Sequence, residues 1–88
     1  MTKEAIKSNL KNISDSYHKD TNTVTTFHIN DSDNGKYFAI RITVGKIYCG
    51  TIYCDCIRID DSDLIQFINN GEIISIFDYL AIDEIDLL

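Results

Sequence analysis

Apolar residues in the first part of the chain recur at helical spacing. Ile6, Leu10, Ile13 and Tyr17 fall at i, i+4, i+7 and i+11, which predicts an amphipathic helix over residues 3–17. Thr2 is placed to cap it, because its hydroxyl can accept from a backbone N–H that has no partner within the helix. Lys3, Lys7 and Lys11 form a second stripe, suited to solvent or to an acidic partner. After a polar connection, HKDTN at 18–22, the period changes to two. Thr25, Phe27 and Ile29 alternate with Val24, Thr26 and His28, and β-branched residues are frequent, so residues 23–30 read as a strand. Residues 37–44 alternate too. Phe38, Ile40, Ile42 and Val44 are expected to face the core, with Tyr37, Ala39, Arg41 and Thr43 outside.

The segment DSDNGK between these strands has the look of a calcium loop, but its register fails. Counted from Asp31, the sixth position is Lys36 rather than glycine, and the twelfth is Ile42, which cannot coordinate. Asn34-Gly35 instead predicts a hairpin turn, since both residues tolerate positive φ.

The stretch Lys46 to Cys56, KIYCGTIYCDC, contains Ile-Tyr-Cys twice. It reads as a long strand bulged at Gly50, or as a tight hairpin at Gly50-Thr51. Both readings put Ile47, Cys49, Ile52, Cys54 and Cys56 on one face, with Tyr48, Tyr53 and Ile57 on the other. Cysteines among isoleucines behave as small hydrophobes. Their spacing, C-x4-C-x-C, lacks the paired knuckles and the nearby fourth ligand of structural zinc, and there is no C-x-x-C for thiol exchange. Core packing is therefore expected of Cys49, Cys54 and Cys56, with a metal or redox site as the competing role. No cofactor is expected.

Asp60-Asp61-Ser62-Asp63 resembles a helix start, with Leu64, Ile65, Phe67 and Ile68 as the buried face and Asn69-Asn70-Gly71 as the stop. In the last segment Glu72, Ser75, Tyr79, Asp83 and Asp86 line up at steps of 3, 4, 4 and 3, opposite Ile74, Phe77, Ala81, Ile85 and Leu88, which favours a second helix. The expected fold is thus α+β in a single domain over residues 1–88. It has a small antiparallel sheet of three strands (four if residues 46–59 form a hairpin), one N-terminal helix and two C-terminal helices, in the order αβββαα.

Composition narrows the function. The 88 residues have no run of about 18 apolar positions, so no membrane helix is expected. The N-terminus lacks the apolar centre of a signal peptide, and the cysteine number is odd, so a cytoplasmic location with reduced thiols is expected. Charge is divided along the chain. Residues 59–88 hold eight acids and no Lys or Arg, for a net charge of −8, whereas the whole chain carries −6. Lacking local basic partners, these acids are expected to project a concentrated negative field, which solubilises or selects a basic partner. Phosphate-loop, nucleophile-elbow, zincin and dinucleotide motifs are absent, and His18 and His28 have no motif around them, so an enzyme is not expected. Direct nucleic-acid binding is disfavoured by the acidity.

The expected element order, size and charge resemble small phage-encoded anti-CRISPR proteins. The stretches TNTVTTFHINDSDNGKYF and FINNG look similar locally. The cysteine-rich third strand and the confinement of acids to the C-terminal third depart from that pattern, so no residue role is carried over. The resemblance implies a non-enzymatic inhibitor from a phage or mobile element. It would bind a basic nucleic-acid-handling host protein, such as a CRISPR effector nuclease, through carboxylates that stand in for DNA phosphates. The residues expected to do so are Asp60, Asp61, Asp63, Asp83, Glu84 and Asp86. Three alternatives remain open: an acidic immunity protein or antitoxin for a basic toxin, a thiol- or metal-dependent regulator using the three cysteines, and a homodimeric module joined through Tyr48, Tyr53 and Ile57.

Overall fold

The computed structural model describes residues 1–14, 17–19 and 24–88. Helix α1 spans Lys3–Ile13, and the Thr2 hydroxyl accepts from the Ala5 N–H at 3.1 Å, as the capping rule requires. Ile6 and Leu10 are fully buried. The helix stops four residues short of Tyr17, because Ser14 turns extended (φ −141, ψ 117) and its hydroxyl donates to the His28 carbonyl. Tyr17 instead opens strand β1, Tyr17–Lys19, paired antiparallel with β2, Thr25–His28. The expected connection at residues 18–22 therefore overlaps β1, and its residues 20–22 lie outside the described residues, as does Thr23 of the expected strand.

The αβββαα order is overturned. The chain continues as β3 (Phe38–Val44), β4 (Ile47–Cys54), β5 (Cys56–Ile59), β6 (Leu64–Asn69), β7 (Glu72–Asp78) and β8 (Ile82–Leu87). Both C-terminal segments read as helices are strands, and only 3-10 turns at Asp31–Asp33 and Tyr79–Ala81 add helical backbone after α1 among the described residues. All strand pairs are antiparallel. They form a five-stranded sheet ordered β1-β2-β5-β6-β7 and a three-stranded sheet ordered β4-β3-β8.

Turn chemistry explains the difference. Asn70 (φ 51) and Gly71 (φ 79) are both left-handed and join β6 to β7, as in the two-residue hairpin turn that Asn-Gly favours. Asn34-Gly35, expected to make a hairpin, makes a different turn. Asn34 is extended (φ −53, ψ 131), Gly35 has φ 91, and the Lys36 N–H donates to the Asp33 carbonyl at 2.9 Å. That geometry is a type II turn. It carries the chain from one sheet to the other, since β2 and β3 do not pair.

Residues 46–59 resolve into one bulged strand and a crossing. Ile42 faces Gly50 and Thr43 faces Tyr48, leaving Cys49 as the extra residue, with Gly50 at φ 135. The strand ends at Cys54. Asp55 then passes the chain to β5 in the other sheet, and Asp55 Oδ2 accepts from the Asn70 N–H at 3.2 Å.

One core joins both sheets and α1. It includes Phe27, Ile57, Ile59, Ile65 and Phe67 from the five-stranded sheet, Phe38, Ile40, Ile42, Cys54, Ile82 and Ile85 from the other, and Ile6 and Leu10. Val44, expected inside, is half exposed at the end of β3, and Ala39, expected outside, is buried between its register partners Tyr53 and Asp86.

Candidate functional site: an acidic surface in two parts

Strand β8 forms one edge of the three-stranded sheet. Ile82 and Ile85 point into the core, while Asp83, Glu84 and Asp86 are exposed. A bulge causes this three-residue spacing: Arg41 faces Glu84 but Ile42 faces Ile82, so Asp83 is the extra residue. Glu84 and Asp86 lie two residues apart on an extended strand, and so project from one face about 7 Å apart.

Arg41, on the central strand, bears on this row. Its Nε lies 3.7 Å from Asp83 Oδ2, and its guanidinium carbon lies 4.8 Å from the centroid of the Tyr48 ring. Across the outer face the register places Thr51, Arg41 and Glu84 in one row and Tyr53, Ala39 and Asp86 in the next. Arg41 thus borders the acids, with Tyr48 and Tyr53 on the same outer face one strand beyond it, an arrangement that sequence spacing did not bring out because the partners are far apart in the chain.

Asp60, Asp61 and Asp63 sit elsewhere, on the loop between β5 and β6. Asp60 has a local task. Its carboxylate accepts from the Ser62 N–H at 2.8 Å and the Ser62 hydroxyl at 2.6 Å, and these bonds hold its pKa below the usual carboxylate value. Asp61 and Asp63 are exposed, and the Asp63 carbonyl accepts from the Tyr79 N–H at 2.9 Å.

These acids have no basic partner within residues 59–88, but folding brings Lys3 and Arg41 to them. Lys3 donates to the Asp61 carbonyl at 3.3 Å, stands 3.9 Å from Asp63 Oδ1 and lies 5.8 Å from the Tyr79 ring centroid. Lys3 and Arg41 both come from the basic part of the chain, so folding brings some positive charge back to the acidic third. The six acids do not form a single helical row. They form two groups, one on each sheet.

The cysteines do not share a face. Cys49 is exposed at the β4 bulge, its thiol 3.5 Å from the Ile47 carbonyl. Cys54 lies in the core, and burial pushes its pKa up to about 12. Cys56 is buried on β5 in register with His28, and the two line a hollow of about 380 Å³. Among the described residues no three His, Cys, Asp or Glu side chains are grouped to hold a metal ion. The dimer surface expected from Tyr48, Tyr53 and Ile57 also needs correction: both tyrosines are 54% exposed, but Ile57 is fully buried in the core.

Among the described residues, no helix is long and apolar enough to cross a membrane. The αβββαα order that helped carry the resemblance to anti-CRISPR proteins is not the order of this chain, while its size and charge are unchanged. No protein-family model matches the chain, and neither a curated protein nor a solved structure matches it.

Proposed function

We propose that this chain is a non-enzymatic binding protein whose acidic surface occupies the nucleic-acid-binding site of a basic partner and inhibits it. The observation that carries this reading is the row Asp83, Glu84 and Asp86, exposed on an edge strand braced by β3. Carboxylates on a strand are held by the sheet's hydrogen bonds, so their spacing is set before the partner arrives. That preorganisation reduces the entropy lost on binding. Surfaces that grip phosphate backbones do so mainly through Lys and Arg, and such surfaces attract an ordered row of carboxylates as well. Asp61 and Asp63 extend the negative field on the other sheet. Asp60, occupied by Ser62, acts mainly in shaping its loop.

The test is capture from host lysate with the tagged protein, compared with its Glu84→Lys/Asp86→Lys variant. A basic nucleic-acid-binding protein retained at low salt, released by DNA and lost with the variant is the expected result. Capture that persists in the folded variant would refute the reading.

A further inference from the structure

Strand β7 ends the five-stranded sheet, so one of its sides has no strand neighbour among the described residues. Free edges are usually guarded by charge, proline, bulges or short length. The edges of the other sheet follow this rule. Strand β4 begins after Lys46 and is bulged at Cys49, and β8 carries its three acids. In β7 the five residues between Glu72 and Asp78 are Ile73, Ile74, Ser75, Ile76 and Phe77. A bulge at Ile74 interrupts its first half, but Ser75–Asp78 keeps regular register against Phe67–Leu64.

Both flanks of this edge are apolar. On the outer face Ile73 is 54% exposed and faces Ile68, and Ile76 is 48% exposed, facing Gln66 and diagonal to the exposed Leu64 on β6. Next to the edge, between the sheets, a groove of about 250 Å³ is lined by Val44, Phe77, Leu80 and Ala81 among others, and Leu80 is 70% exposed. A strand laid along β7 would send alternate side chains into this groove and over Ile76.

Charge selects the occupant. A second copy would bring two C-terminal thirds together, each with eight acids and no Lys or Arg, and would double the charge of Glu72 and Asp78 at the ends of the edge. Like charges directly opposite destabilise a strand pair, and opposite charges stabilise it. We propose that β7 takes up an extended segment of a partner protein as an added strand of the sheet. That segment is apolar at alternate positions and carries Lys or Arg at both ends, one near Glu72 and one near Asp78, whose carboxylate also accepts from the Leu80 N–H at 2.9 Å. The inference takes the sign of the partner's charge from the function proposed above, but it concerns a surface separate from β8.

The experiment titrates the 15N-labelled protein with the peptide Lys-Val-Thr-Val-Thr-Val-Lys and with the same peptide ended by Glu. The expected result is that the lysine peptide shifts the amides of residues 72–81 and slows their exchange. The glutamate peptide, and the lysine peptide with the Ile76→Lys or Leu80→Lys protein, should each bind about tenfold more weakly or less. Both substituted side chains are exposed, so the variants should fold. Glu84→Lys/Asp86→Lys should leave the β7 shifts in place. Absence of β7 shifts, or equal binding of the two peptides, would overturn the proposal. Lysine-peptide shifts confined to β8 and removed by Glu84→Lys/Asp86→Lys would overturn it while leaving the β8 reading intact. Self-association abolished by Ile76→Lys would assign the edge to a second copy and also overturn it.

Discussion

Arg41 reaches Asp83 across the β3–β8 pair at 3.7 Å, and the bulge that makes Asp83 an extra residue is what brings the two together. Both side chains are more than half exposed, so the pair contributes less than about 1 kcal/mol to stability. Its larger effect is on the field of β8. Arg41→Ala should leave thermal unfolding nearly unchanged and let the protein hold a basic partner at higher salt than the wild type does. Equal salt sensitivity of the two proteins in the capture assay would show that Arg41 does not moderate this surface.

The three thiols should separate by reactivity. Cys49 is exposed and should exchange with an aromatic disulfide reagent in the native protein, whereas Cys54 and Cys56 should react only on unfolding. Absorbance of the released thiolate counts them, and fast reaction of more than one thiol in the folded protein would contradict the burial pattern.

Cys54 also predicts a pH effect. Its folded pKa, about 12, lies above the ordinary value of 9.0, so the unfolded chain loses this proton first as pH rises. The stability that this group contributes is therefore fully present below about pH 9 and is lost between 9 and 12, with a slope of at most about 1.4 kcal/mol per pH unit. Urea midpoints measured at pH 8 and pH 10.5 should fall less for Cys54→Ala than for the wild type. An equal fall would assign the alkaline loss to other groups.

At the acid end the sign reverses. The hydrogen bonds from Ser62 lower the Asp60 pKa from 3.8, so its contribution is present above that value and is lost as pH falls through the folded value. Asp60→Ala should be less stable than the wild type at neutral pH, and the gap should narrow in acid. A gap independent of pH would mean that the loop does not depend on the charged carboxylate.

Gly71→Ala should destabilise the fold by about 1–2 kcal/mol, measured by urea unfolding. An added Cβ there meets nothing within 4 Å, so the cost comes from the left-handed backbone at φ 79 and not from a clash. An unchanged midpoint would show that the turn relaxes to another form.

The sequence was legible where period and packing agree. Ile6 and Leu10 mark the buried stripe of α1, and Phe38, Ile40 and Ile42 the buried face of β3. The misreading of the last third has a specific cause. Bulges at Ile74 and Asp83 each insert one residue, so inward positions such as Ile82 and Ile85 fall three apart, a helical spacing. Outward apolar residues, Leu64 on β6 and Ile73 and Ile76 on β7, filled the second face and hid the alternation. The abundance of β-branched isoleucine and the Asn70-Gly71 pair were the available signals for a hairpin. At the acidic surface the six carboxylates were identifiable by charge. Their division between two sheets, and the approach of Lys3 and Arg41, depend on long-range pairing that local pattern does not encode.

That pairing also governs how fast the molecule can assemble. Phe38 pairs with Cys54 on one side and with Leu87 on the other, so the chain between β3 and its second neighbour, β8, includes strands of the other sheet. Closing such a large loop must precede the reward of its contacts, which places refolding in the slow class of β-rich domains, milliseconds to seconds. Refolding complete within the dead time of stopped-flow mixing would contradict this placement. The acidic row on β8 is thus set in place by the pairing of greatest sequence separation in its sheet, and its fixed spacing is lost whenever that pairing opens.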